Sequence, residues 1–339
     1  MKPSKKTLEK FHFPVMLEEV IKICQPENGG NFLDCTFGGG SYTKKILGFP
    51  GTKVIAIDRD KSVENEASKI KKIYPNRFSF FNEKFSNLDK VVGEKNKVDK
   101  IIFDLGISTL QLLDKERGFS FKSKGSIDMN MGLSDISAEE VLNYYKPHEL
   151  KIILKYLGEE QEASKIVNNI VRERKIKKIK LVSQLVDIIK KSKKKNYKKK
   201  INVATKTFQA LRIFVNREIT ELIEGITKAT KCIKSGGNII IISFHSIEDK
   251  IIKFYFKNYS TNKSNPSRYL PEKNKTKDVL FNKYKNTFLT ASQQELQDNP
   301  PSRSAKLRFV TRNENKFKYP EDLKNKFKKY LELEKKYVK

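Results

Sequence analysis

Short apolar runs alternate with amphipathic stretches through the first hundred residues, the run at 53–57 being β-branched. Residues 31–35 read as a short buried strand entering the loop Thr36-Phe37-Gly38-Gly39-Gly40, and a helix to about Leu47 follows. Residues 53–57 form a second apolar run ending in Asp58-Arg59-Asp60, after which Ser62 is placed to cap a helix through about Ile73. Residues 77–81 make a third strand and 100–103 a fourth that ends at Asp104. Strands separated by helices predict βαβ units and a parallel sheet with helices on both faces. Right-handed crossovers then gather the loops after the strands at one edge, where such sheets bind ligands.

After Asp104 the strand pattern stops for about a hundred residues. Residues 137–145, 148–157, 159–174 and 181–191 show helical spacing with no strand between them. The chain therefore divides into a sheet domain over 1–112, a helical insertion over 113–204 and a return to the sheet over 205–339. In that last part, 207–233 reads as one long helix with Phe208, Leu211, Val215, Ile219, Leu222, Ile226 and Ile233 on one stripe. Lys234-Ser235-Gly236-Gly237 breaks the pattern, 238–243 is a fully apolar strand, and 247–259 is helix again. A loop over 260–278, a last strand over 306–311 and a charged helix from Pro320 complete the reading.

Composition narrows the functional classes. Lys and Arg number 70 against 40 Asp and Glu, giving a net charge of +30, which favours a polyanionic partner. Part of that excess belongs to a general enrichment in Lys, Ile and Asn, so charge alone decides nothing. Three cysteines far apart (Cys24, Cys35, Cys232) exclude a disulfide framework, and neither Cys nor His falls at metal-ligand spacing, so no metal is expected. The charged start, Met1-Lys2-Pro3-Ser4-Lys5-Lys6, is followed by no apolar stretch. The longest apolar run, at 239–242, is far short of the roughly 20 residues a membrane helix needs. The expectation is a cytoplasmic protein with no membrane partner.

Four strand ends carry candidate chemistry. Consecutive glycines in Asp34-Cys35-Thr36-Phe37-Gly38-Gly39-Gly40-Ser41-Tyr42 let the backbone approach a ligand, although a plain strand-to-helix turn is the alternative. Thr43 stands where the dinucleotide fingerprint has its third glycine, which weakens a nicotinamide reading. Asp58 ends the second strand, where a carboxylate can accept both ribose hydroxyls of an adenosine-type ligand. Asp60 reads as a solvated or helix-initiating carboxylate. Asp104 begins Asp104-Leu105-Gly106-Ile107-Ser108 at the fourth strand end, as a site acid or as the cap of the next turn. Ser243-Phe244-His245-Ser246-Ile247-Glu248-Asp249-Lys250 lacks the nucleophile elbow, and adjacent His245 and Ser246 point apart, so a serine hydrolase is rejected and Ser246 is expected to cap the next helix. Two basic segments suit phosphate contacts. Fourteen Lys and Arg lie within 172–200, and Arg303, Lys306 and Arg308 form a second cluster.

Several of these strings together resemble one family, the bacterial 16S ribosomal RNA cytosine-N4 methyltransferases of the MraW type. They are His12-Phe13-Pro14-Val15-Met16-Leu17-Glu18-Glu19, the Asp34 to Tyr42 loop, Ala56-Ile57-Asp58-Arg59-Asp60, Asp104 to Ser108 with Gln111, Glu116-Arg117-Gly118-Phe119-Ser120-Phe121 and Ile127-Asp128-Met129. Gly158-Glu159-Glu160, Phe208-Gln209-Ala210-Leu211-Arg212-Ile213, Ser243 to Lys250 and Arg303-Ser304-Ala305-Lys306-Leu307-Arg308 follow in the family's order over nearly the whole chain. The resemblance implies an α/β fold, a class I S-adenosylmethionine-dependent methyltransferase (Rossmann-like) sheet with an inserted all-helical domain that recognises RNA. It implies S-adenosylmethionine as cofactor, held by Gly40, Ser41, Tyr42, Asp58, Phe85, Asp104 and Gln111. It implies 16S rRNA within the small ribosomal subunit as partner, with a homodimer left open. Asp104 is the candidate catalytic residue. Where the family usually has Gly-Gly-His this chain has Gly40-Ser41-Tyr42, which is tolerable only if position 41 needs no positive φ. Asn130 stands where an Arg is usual. Without the resemblance, an NAD-dependent dehydrogenase, a methyltransferase on another nucleic acid and a non-catalytic RNA-binding assembly factor all remain open.

Overall fold

The computed structural model describes residues 14–93, 96–193, 202–260 and 279–336. It separates into two compact units, Met1–Gly106 with Leu222–Lys326, and Ile107–Glu221 with Phe327–Lys339. The bounds differ from the expected 113–204 insertion, because the second unit begins just after the fourth strand and runs on past 204. All of the expected loop at 260–278 after Ser260, and most of the lysine run at 193–200, lie outside the described residues.

The first unit holds a six-stranded sheet. Its strands are β1 (Gly30–Asp34), β2 (Thr52–Asp58), β3 (Phe78–Asn82), β4 (Val98–Asp104), β5 (Ile233–Ser243) and β6 (Lys306–Thr311). The spatial order is β3-β2-β1-β4-β5-β6, with β6 antiparallel to β5 and every other pair parallel. Strands covered on both faces must be apolar throughout. Ile239, Ile240, Ile241 and Ile242 at the centre of β5 and Ile101, Ile102 and Phe103 in β4 are all fully buried. Each such side chain contributes about 1.5–3 kcal/mol through burial. The order reverses between β1 and β4, and the crevice this opens at the strand carboxyl ends is the binding position in sheets of this kind. Asp34 and Asp104 end the two strands that flank it.

The unit's helices are α1 (Leu17–Cys24), α2 (Ser41–Leu47), α3 (Glu64–Ile73) and α4 (Leu88–Val92). The second unit opens with α5 (Thr109–Leu113), α6 (Ala138–Tyr144), α7 (Pro147–Leu157), α8 (Ala163–Ile176), α9 (Val182–Ser192) and α10 (Thr205–Asn216). The chain continues with α11 (Glu218–Cys232), most of which belongs to the first unit, as do α12 (Ser246–Asn258) and α13 (Gln293–Asp298), and ends in α14 (Glu321–Lys336), divided between the units at Lys326. Among the described residues no helix is long and apolar enough to cross a membrane.

Four local expectations are corrected. The long helix over 207–233 is two helices, because Arg217 adopts φ 50° and its N–H turns back to Phe214 and Ile213 carbonyls, ending α10. Lys234 to Gly237 does not precede β5 but lies within it. Val98 pairs with Ile233 and Lys100 with Asn238, so the extra residues form a bulge with Gly236 at φ 79°. Asp60, not Ser62, starts the turn before α3, its carboxylate accepting the Ser62 N–H at 3.0 Å. His245, not Ser246, caps α12. Its Nδ1 accepts the Glu248 N–H at 3.4 Å while Glu248 accepts the amides of Phe244 and His245 at 2.9 and 3.2 Å.

The second unit buries Leu150, Ile153 and Leu154 of α7 with Ile166 and Ile170 of α8, Leu185 and Ile189 of α9, and Leu211 and Phe214 of α10. Asn216 pins the loop before α6, accepting the Met131 N–H and donating to the Met129 carbonyl, both at 2.8 Å. Met129 in turn donates to the Arg117 carbonyl at 2.8 Å, so two of the motif strings form one packed loop. Asn130 serves that loop as a turn residue. Its Oδ1 accepts the Gly132 N–H at 2.7 Å and its carbonyl accepts Arg117 at 2.7 Å.

Candidate active site

The loop from β1 to α2 is tied to both neighbouring strand ends. Gly38 donates its N–H to Asp58 Oδ2 at 2.8 Å, and Phe37 donates to the Ile57 carbonyl at 3.0 Å. On the other side Asp104 donates its N–H to Thr36 Oγ1 at 2.7 Å. The glycines are needed where they stand. Gly38 has φ 50° and Gly40 φ 73°, and a Cβ on Gly40 would lie 2.9 Å from both the Phe37 ring and Ile70. Ser41 is the first residue of α2 and has no positive φ, so the serine is accommodated without strain. Phe37 packs against Phe78 and Phe80 at 5.9 and 5.2 Å between ring centres, which fixes the loop over β3.

Asp58 is partly buried at the end of β2. Besides Gly38 it accepts the Asp60 N–H at 2.9 Å through Oδ1. Burial raises its carboxyl to about 6, against the pull of the two backbone bonds. Each oxygen retains a lone pair for a further donor. Phe85 opens the turn after β3 and packs edge-on against Phe103 at 5.4 Å, with Gly225 beneath it, where a Cβ would come within 2.7 Å of the Phe85 ring.

Asp104 is the most perturbed acid of this cluster. Burial first, and then the charge of Asp34, push its carboxyl up to about 8. The Tyr42 hydrogen bond acts the other way, and Glu248 and Glu295 add to the rise. Asp34 is fully buried, accepts Thr43 Oγ1 at 2.7 Å and is itself raised by burial to about 6. Tyr42 is buried, with its hydroxyl between the Val15 carbonyl and Asp104 Oδ2, 3.3 Å away. Asp104 Oδ1 is buried without a hydrogen-bond partner. An orphaned carboxylate oxygen at the crevice between β1 and β4 costs free energy unless a ligand supplies the donor. With the close-approach glycines and the acid on β2, this donor set fits an adenosine-type ligand carrying a reactive group toward Asp104.

Gly40, Ser41, Tyr42, Asp58, Phe85 and Asp104 thus all belong to the first unit, at its sheet edge. Gln111 belongs to the second, where its Oε1 accepts the Ser108 N–H at 3.0 Å in a reciprocal cap of α5. Three acids beside Asp104 were not assigned to this site from sequence: Asp34, Glu248, which reads as a first-turn carboxylate of the next helix, and Glu295. Asp34 had a readable signal, since it ends the first strand as Asp58 and Asp104 end theirs. Glu295 had none. It reaches back across the chain to accept the Met16 N–H at 2.8 Å.

Part of the expected phosphate surface is engaged internally. Arg308 donates to Asp249 at 2.7 Å and is 3% exposed, and Lys306 meets the same carboxylate at 3.1 Å. Lys193 is bound to the buried Glu160 at 2.6 Å. Arg303 is exposed.

A doubly covered parallel sheet with an antiparallel last strand, a glycine-bearing first loop and acids on β2 and β4 defines a Rossmann-like α/β enzyme of the class I methyltransferase type. The family model of the "MraW methylase family" matches residues 9–313. Ribosomal RNA small subunit methyltransferase H of Neorickettsia sennetsu is 39% identical over 303 residues, which cover 89% of this chain and 96% of that protein. The protein of the same name from Orientia tsutsugamushi is 39% identical over 309 residues, 89% of this chain and 98% of its own. The chain belongs to the MraW methylase family. It is an S-adenosylmethionine-dependent methyltransferase, which removes the nicotinamide alternative.

Proposed function

We propose that the chain methylates the exocyclic N4 of a cytosine in the RNA of the small ribosomal subunit. The relatives' names supply the RNA, and the family resemblance supplies the atom. The observation that carries the site reading is Asp104, whose buried, unpartnered Oδ1 stands at the crevice beside the glycine loop. When bound, the sulfonium donor supplies an already electrophilic methyl group.

The protein's residues then bind and orient. Gly40, Ser41 and Tyr42 bring the backbone close to the donor, Asp58 accepts its ribose hydroxyls, and Phe85 offers an aromatic face. Cytosine N4 is a poor nucleophile because its lone pair is delocalised into the ring. An acceptor on its N–H returns density to nitrogen and takes the proton as the new bond forms, and Asp104 Oδ1 is that acceptor. The base must leave its stack to reach the pocket. The helical part over 113–204 is the RNA-recognition region, its exposed lysines gripping phosphates around the target. The assembled small subunit is the expected partner.

Calorimetric titration tests the cofactor side. Adenosylmethionine and adenosylhomocysteine should bind and NAD should not, and Asp58→Ala should weaken the donor roughly 10- to 150-fold, the worth of about 1.5–3 kcal/mol for bonds to a charged acceptor. Binding that is indifferent to Asp58 contradicts the site.

A further inference from the structure

The Tyr42 phenol is 4% exposed, and its oxygen has the Val15 carbonyl on one side and Asp104 Oδ2 on the other. A phenol has one proton to give. The carbonyl can only accept, whereas a carboxyl accepts when ionised and donates when neutral. Two arrangements are open to the trio. With the proton on Oδ2, Asp104 donates to Tyr42 and Tyr42 donates to Val15, so every group is satisfied. With Asp104 ionised, Tyr42 must turn its proton to Oδ2, and the Val15 carbonyl gives up its partner.

We propose that Tyr42 is a positioning residue that governs the proton of Asp104, lending its own hydrogen to Oδ2 when the carboxyl is charged and returning it to Val15 when the carboxyl is neutral. Both arrangements occupy Oδ2, so Oδ1 is the oxygen that faces the substrate in either state. The inference rests on Asp104 being the acceptor of the amine proton. In that step the N4–methyl bond forms as the sulfur–methyl bond breaks. The N–H proton passes to Oδ1, its bonding pair stays on nitrogen, and Tyr42 goes on donating to Oδ2 until that proton leaves Oδ1.

The surroundings make such a lender necessary. Among the described residues, the charges that act most on Asp104 are acidic: Asp34 from β1, Glu248 from α12 and Glu295 from α13. All oppose ionisation, as burial does, while the Tyr42 hydrogen bond favours it. Burial holds Tyr42 itself well above the usual phenol range, so it keeps its proton while Asp104 titrates.

The test follows the carboxyl directly, in protein without substrate. Infrared difference spectra of ¹³C-aspartate-labelled protein identify the Asp104 band by its loss in Asp104→Asn, and a pH titration gives its midpoint, expected at about 8. Tyr42→Phe should raise that midpoint by about one pH unit, a roughly tenfold tighter hold on the proton. Site-specific 3-fluorotyrosine at position 42, a stronger donor of nearly the same size, should lower it. Opposite movements support the role, because a merely structural tyrosine gives no such pair. An unmoved midpoint in both proteins, or movement in the same direction, overturns it. The reading underneath fails separately. If Asp104→Asn keeps the wild-type kcat and pH profile, Asp104 is no acceptor, whatever the titration shows.

Discussion

Asp34 and Asp104 end neighbouring strands, Asp34 standing opposite Ile102 in register so that Asp104 projects two residues further along β4. Both are raised by burial, to about 6 and about 8, and the charge of Asp34 is the second cause of the rise at Asp104. A like charge nearby disfavours ionisation. An acceptor must be ionised, so kcat should rise with pH through about 8 and be lost as pH falls below it. Asp34→Asn should move that limb to lower pH. Asp104→Asn should lower kcat about 10²–10⁴-fold while adenosylhomocysteine still binds. A limb that Asp34→Asn leaves in place would break the link between the two acids.

Gly40→Ala asks an L-residue to hold φ 73° with its Cβ 2.9 Å from the Phe37 ring and Ile70. Strain of this kind costs on the order of 1–3 kcal/mol. The denaturant midpoint should fall, and donor affinity should fall with it, because the same turn presents the loop. Ser41→Gly needs neither change, since Ser41 is helical. Calorimetry alongside urea unfolding separates the two effects.

Glu334 is fully buried on α14 and accepts the N–H groups of Ile219 and Thr220 at 3.1 and 2.8 Å, capping the start of α11. Burial raises its carboxyl from 4.5 to about 8. The folded state therefore keeps a proton that the unfolded chain loses, so this contribution is whole below pH 4.5 and is lost as pH rises through about 8. Urea unfolding should show stability falling across that window. Glu334→Gln should flatten the fall, and Glu334→Ala should cost about 1–2 kcal/mol through the lost cap. Equal slopes for wild type and Glu334→Gln would mean that Glu334 does not hold that proton.

Salt dependence separates phosphate-binding cations from structural ones. Replacing Lys194, Lys195, Lys198, Lys199 and Lys200 by Ser should flatten the plot of log affinity for RNA against log salt by roughly 0.7–0.9 for each phosphate left without its lysine. Arg308→Ala should instead lower thermal stability, because it takes from Asp249 the buried partner it meets at 2.7 Å and leaves the carboxylate to Lys306 alone. An unchanged slope in the lysine variant would move the RNA surface elsewhere.

The sheet was legible because its strands are short apolar runs, aromatic in β1 and β3 and rich in Val and Ile in β2, β4 and β5, and three of them close on acids: Asp34, Asp58 and Asp104. A buried parallel strand tolerates little else. Features that depend on distant partners were not legible. Arg217 breaks a continuous apolar stripe with a left-handed conformation no local signal announces. His245 displaces Ser246 as the cap because Glu248 answers it from three residues on, binding the amides of Phe244 and His245. Lys193 and Arg308 read as phosphate-binding cations, yet Glu160 and Asp249, 33 and 59 residues away in sequence, draw them inside. The glycine loop was legible as a ligand loop. That Gly38 and Gly40, and not position 41, carry the positive φ was visible only once the loop was folded over Phe37.

The most direct measurement is nucleoside analysis of small-subunit RNA lacking the modification, after incubation with the protein and methyl-labelled S-adenosylmethionine. The account predicts label in N4-methylcytidine, arriving about 10²–10⁴-fold more slowly when Asp104→Asn replaces the wild-type chain. Label in a different methylated nucleoside, or in ribosomal protein with the RNA unlabelled, would contradict it.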